Sequence, residues 1–169
     1  MNYELGYGSL HYPYFSHIFI DCFNTYGTAI FEPFSNVRIS YDSMAIIDIF
    51  FLLPLLIFTI WALFVPFQKK IRRIVAWISL SLATLYFLFT LVNKQTITNR
   101  TVEQLQSQGI NFDRILTTPA PLSNLIWAIV AENKSGYHLS NVNSFDKSDY
   151  IKFRYLPRNL ELLGQLKKN

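Results

Sequence analysis

The sequence predicts a membrane α-helical protein: a two-helix transmembrane hairpin, preceded by an aromatic-rich helical and loop segment and followed by a small α+β C-terminal tail. Three observations predict it. Of 169 residues, 51% are hydrophobic and only 15% charged, against about 25% charged in an ordinary soluble domain. Between Ser43 and Val65 the only ionisable side chain is Asp48, and between Ile74 and Val92 it is Tyr86. The short turn between these runs holds Gln68-Lys69-Lys70-Ile71-Arg72-Arg73.

Residues 1–42 form the N-terminal segment, which Pro13, Gly27 and Pro33 break into short pieces. Residues 43–92 form the hairpin. As helices its two runs extend about 34 and 28 Å, enough to cross a hydrocarbon core of about 30 Å. Neither run has a polar face, so two buried helices of a soluble domain fit poorly. Lys and Arg concentrate in cytoplasmic loops. The basic turn is therefore expected in the cytoplasm, with the N-terminal segment and the tail outside, as in a multi-pass protein with an extracytoplasmic C-terminus.

Residues 93–169 form that tail. Over 93–112 the spacing of Val102, Leu105 and Gln106 predicts a short amphipathic helix, with Gly109 as its C-cap. The run Ile126-Trp127-Ala128-Ile129-Val130-Ala131 predicts a strand, and Asn133-Lys134-Ser135-Gly136 a turn. Tyr137 to Val142 continues from it, giving a hairpin. After Pro157, Asn159 to Lys168 favours a closing helix.

The net charge is +4, but outside the turn the basic residues are scattered, with no stripe that could track phosphates. No nucleic-acid partner is expected; the expected partner is a lipid bilayer. The single cysteine, Cys22, allows no intrachain disulfide and no cysteine-based metal cluster.

Candidate chemistry begins at Ser16-His17-Ile18-Phe19-Ile20-Asp21. On a helix, positions i and i+4 share one face about 6 Å apart. His17 and Asp21 can then reach one divalent cation through nitrogen and oxygen, as zinc or manganese requires. A capping or ion-pairing histidine gives the same spacing, and two ligands fall short of the three a catalytic zinc takes. Glu32 and Asp42 flank Arg38 and could contribute, or they line a solvated charged loop. Asp48, one turn inside an apolar run, is a functional candidate unless it stays hydrated at the outer interface. Arg38 could pair with Asp48 or bind an anionic substrate group. Gly-rich phosphate loops, Gly-x-Ser-x-Gly and His-Glu-x-x-His are absent from the sequence, so if the chain is an enzyme, metal-assisted hydrolysis is the reaction class it best supports.

These residues resemble a known family. Residues 16–28, Ser-His-Ile-Phe-Ile-Asp-Cys-Phe-Asn-Thr-Tyr-Gly-Thr, look like its His-x-x-x-Asp segment and Thr-Tyr-Gly-Thr turn. Pro33-Phe34-Ser35, Arg38, Tyr41-Asp42 and Ile46-Ile47-Asp48 continue in the same order, and Thr117 to Leu122 with Trp127 looks like its periplasmic tail. The family is the YdjM-like, LexA-regulated, membrane-bound predicted metal-dependent hydrolases of the bacterial inner membrane.

The resemblance implies that His17 and Asp21 are metal ligands, with Arg38, Asp42 and Asp48 lining the same pocket. It also implies a divalent metal, zinc or manganese, and a phosphoester or lipid substrate. The family's upstream membrane segment and histidine motif have no counterpart before His17, so the chain is expected to be the C-terminal part of a member. The competing expectation is a non-enzymatic, membrane-anchored binding or scaffold protein. A transporter is disfavoured, because only Asp48, Thr59, Ser79, Ser81 and Thr84 offer polarity along the runs, too few unless the chain forms a homo-oligomer.

Overall fold

The computed structural model describes residues 8–146 and 150–158, with side chains in the first helix from Tyr14 onward. Helix α1 (Gly8–Asp21) leads into a loop that reaches Asp48; helix α2 (Ile49–Leu63) and helix α3 (Lys70–Ser107) follow. Four strands complete the described chain: β1 (Arg114–Pro119), β2 (Ile126–Glu132), β3 (Gly136–Asn143) and β4 (Arg154–Pro157). The closing helix expected over Asn159 to Lys168 lies outside the described residues.

The expected two-helix transmembrane hairpin is corrected here. α2 has 15 residues, about 22 Å of helix, short of a hydrocarbon core of about 30 Å. The missing length is at the start of the run. Ser43 and Met44 donate their amides to the Phe23 carbonyl, which holds this stretch in the loop. Asp48 is extended (φ −110°, ψ 114°) and caps α2 by accepting from the amides of Phe50 and Phe51. At the other end Phe64 closes the helix two residues before Pro66. Among the described residues one helix, α3, is long and apolar enough to cross a membrane.

α3 also absorbs the amphipathic helix expected over 93–112, running unbroken across residue 92 for 38 residues. Its end is the predicted one. Gly109 has φ 69°, its amide bonds the Gln106 carbonyl, and the Ile110 amide bonds the Leu105 carbonyl. This paired bonding satisfies carbonyls left over in the last turn and requires the left-handed residue that glycine supplies.

α3 has two characters along its length. From Ile74 to Val92 large apolar side chains are exposed, among them Trp77, Leu80, Leu85, Leu88 and Phe89. Thr90, Asn93, Ile97, Thr101 and Leu105 are buried instead; their spacing of three or four residues puts them on one face. That face meets the sheet.

The sheet is antiparallel with strand order β1-β2-β3-β4. β2 and β3 form the expected hairpin, Trp127 facing Val142 and Ile129 facing Ser140. Asn133 shapes its turn by accepting from the amides of Ser135 and Gly136. Alternation along β2 buries Trp127, Ile129 and Ala131 on one face. Ile97 of α3 joins Trp127, Ile129, Val142 and Ile151 in the core. α2 runs antiparallel to α3, with the Ser79 hydroxyl donating to the Pro54 carbonyl at 2.7 Å and Phe50 near Tyr86.

Candidate functional site

α1 ends at Asp21, and its last turn carries the His-x-x-x-Asp pair on one face. His17 Nε2 lies 3.3 Å from Asp21 Oδ2, with side chains 76% and 34% exposed. Asn24 donates to the other carboxylate oxygen, Oδ1, at 3.3 Å. Phe19 and Phe23 stack edge to face beneath this turn, and Phe23 packs in turn on Phe87 of α3. The pair is thus displayed on a helix end tied to α3 by aromatic contacts.

The loop after α1 folds back on it. The Tyr41 amide bonds the Cys22 carbonyl and the Ser43 amide bonds the Phe23 carbonyl, so the Asp42 backbone lies beside the end of α1. Asp42 adopts φ 51° and accepts from the Ser40 hydroxyl at 2.7 Å. It also lies within electrostatic reach of Lys94. Lys94 donates to the Thr117 carbonyl and sits 5.9 Å over the Trp127 ring. Arg38 is exposed and has no ion-pair or hydrogen-bond partner among the described residues.

Asp48 stands apart from these groups. It is 2% exposed, and besides capping α2 it accepts from the Tyr86 hydroxyl at 2.9 Å to each oxygen. The expected pairing with Arg38 is not formed, because Tyr86 and two backbone amides already occupy the buried carboxylate. Burial lifts the Asp48 carboxyl above the ordinary carboxylate range, the Tyr86 hydroxyl and the two amides pulling the other way. Among the described residues no three His, Cys, Asp or Glu side chains converge as a metal-binding group. The structure brings His17 and Asp21 together, sets the Asp42 backbone next to them, and leaves Arg38 and Asp48 outside the pair.

Sequence reasoning missed a buried polar cluster beside Asp48. The Asn93 side-chain amide donates to the Asn124 carbonyl, to Asn124 Oδ1 and to the Ser144 hydroxyl. Asn124 donates to the Ser43 carbonyl at 2.6 Å, and the Trp127 indole donates to the Asn124 carbonyl at 3.0 Å. One cluster thereby ties the loop, α3 and the sheet. A signal existed: Tyr86 and Asn93 are seven residues apart, hence on one helix face.

With this geometry in hand, comparison with known proteins places the chain. The family model described as YdjM inner membrane protein matches residues 2–97, more than half of the chain. The chain belongs to this family. No curated protein and no solved structure matches it. The YdjM match contains His17, Asp21, Arg38, Asp42, Asp48 and Tyr86, and ends within α3. The sheet therefore lies outside it, including the Thr117 to Leu122 stretch whose likeness to the family was expected. YdjM members are inner membrane proteins, and the exposed apolar length of α3 is the element suited to that setting.

Proposed function

We propose that this YdjM-family chain is a membrane-bound, metal-dependent hydrolase of phosphoesters or lipids. The observation that carries the reading is the separation of 3.3 Å between His17 Nε2 and Asp21 Oδ2. Two ligands held at about 2.0–2.1 Å from a tetrahedral ion sit about 3.3 Å apart. The donor set, one imidazole nitrogen and one carboxylate oxygen, suits zinc or manganese. The exposure of His17 leaves a solvent-facing side for the remaining ligands, which water, substrate or a second copy of the chain would supply.

When bound there, the ion would supply Lewis acidity toward water and the substrate oxygen. His17 and Asp21 would hold it. Asn24 fixes the Asp21 carboxylate through Oδ1, leaving Oδ2 for the metal. Arg38, exposed in the adjoining loop and without a partner among the described residues, meets negative charge developing on the substrate. Asp42, beside the end of α1, orients the polar edge of the site. Asp48 positions the loop by anchoring it to α3 through Tyr86. The basic Lys70 end of α3 faces the cytoplasm and the sheet lies on the opposite side.

Elemental analysis of detergent-purified chain beside His17→Ala tests the reading. About one zinc or manganese per chain, lost in the variant, is expected for a single site. Stoichiometric metal retained by His17→Ala overturns the assignment. A second reading, a membrane-anchored binding or scaffold protein, is favoured by the lack of a third converging ligand among the described residues. Absence of metal from both proteins supports that alternative.

A further inference from the structure

α2 and α3 carry between them an open groove of about 920 Å³, within the size range of small-molecule sites. Phe50, Pro54 and Trp61 line one wall; Val75, Ile78 and Tyr86 line the other. Its polar groups are spent: Ser79 donates to the Pro54 carbonyl and Tyr86 to Asp48. What remains on the walls is hydrocarbon and aromatic surface.

At the Trp61 end the groove opens beside the α2–α3 turn, where Ile71 also lines it. Lys69, Lys70 and Arg73 are exposed there. Arg72 is held in place, donating to the Val65 carbonyl at 3.0 Å and lying 5.1 Å over the Phe67 ring. No Asp or Glu occurs between Asp48 and Glu103, so no acid on α2, in the turn or on the apolar length of α3 offsets these four cations. The turn is also the N-terminus of α3, whose cap Lys69 makes no side-chain capping bond. The positive end of the helix dipole adds to the same field.

We propose that groove and turn together form a binding site for one anionic phospholipid. Its acyl chains lie between α2 and α3, and its phosphate meets Lys69, Lys70, Arg72 and Arg73. The chains alone would not discriminate, since a zwitterionic lipid offers the same hydrocarbon. Selection comes from the uncompensated charge, each cation near the surface being worth about fivefold in affinity for a negative headgroup. The basic turn at Lys70 lies about 25 Å along α3 from the Phe87 contact of α1, and the proposal uses neither His17 nor Asp21, so it does not depend on the metal reading.

Tryptophan quenching in vesicles tests it. Trp61 lines the groove, Trp77 is exposed on α3 outside it, and Trp127 is buried in the sheet core. The full chain is reconstituted into phosphatidylcholine holding brominated phosphatidylglycerol as a minority lipid, and separately with brominated phosphatidylcholine at the same fraction. In Trp77→Phe, Trp61 should be quenched preferentially by the brominated anionic lipid; in Trp61→Phe, Trp77 should show no preference. Lys70→Gln with Arg73→Gln should cut the Trp61 preference about fivefold per charge. Those two side chains are exposed and bond nothing among the described residues, so the fold survives their loss. Equal quenching of Trp61 by the two brominated lipids overturns the proposal. So does equal preference at Trp61 and Trp77, which would mean a general charged annulus.

Discussion

Tyr86 donates its hydroxyl to Asp48 across 38 residues of sequence, 2.9 Å from each carboxylate oxygen. The bond joins the cap of α2 to the middle of α3 at a point where the carboxylate is shielded from water. It is the polar link between the two helices at this end, as Ser79 to Pro54 is further along.

Replacing Tyr86 with Phe removes that donor and leaves Asp48 with two backbone amides. A hydrogen bond to a charged group contributes about 1.5–3 kcal/mol, and a loss of that size is expected in thermal unfolding of the detergent-solubilised chain. Asp48→Asn keeps an acceptor for the amides and for Tyr86, so its loss should be smaller. An unchanged midpoint for Tyr86→Phe would show the bond to be dispensable.

Asn124→Ala should cost more. Its side chain both donates to Ser43 and accepts from Asn93, and all three residues are buried. Two buried groups lose a partner at about 1–3 kcal/mol each. The expected result is a loss of about 3 kcal/mol, read as an earlier unfolding transition. The Trp127 indole bonds the backbone carbonyl of Asn124, which must move once the side chain that ties it to Ser43 is gone, so its fluorescence should shift as well. A stable variant with unaltered Trp127 emission would contradict the cluster.

Gly136 opens β3 where β4 crosses closely. A Cβ added there would lie 2.4 Å from the Leu156 carbonyl oxygen and 2.9 Å from the Tyr155 ring. The nearest atom is backbone, so the strand itself must shift. Gly136→Ala is expected to cost about 1–3 kcal/mol and to raise amide exchange in β4 selectively. Protection of the Tyr155 and Leu156 amides equal to wild type would refute this.

What was legible in the sequence was local. The apolar run from Ile74 to Val92, the Gly109 cap and the β2–β3 hairpin each depend on residues close in the chain, and each is present. His17 and Asp21 are neighbours for the same reason: one helical turn sets their distance. The extent of α2 was not legible, because hydropathy over Ser43 to Val65 is blind to the tertiary bonds from Phe23 and Asn124 that hold Ser43 in a loop. Asp48 did carry a readable start signal, an acidic cap before an apolar run. Its partner Tyr86 did not, since that pairing exists only once α2 lies against α3. The Asn93–Asn124–Ser144 cluster draws on three separate segments, which no spacing rule joins.

The unbroken course of α3 has a mechanical consequence. No proline or glycine interrupts it between Lys70 and Ser107, so it is a stiff lever with one arm of exposed apolar surface and the other packed on the sheet. A tilt of about 20° moves a point about 22 Å further along the axis sideways by about 8 Å. In an inner membrane, a change of bilayer thickness that this helix met by tilting would swing the whole sheet with it.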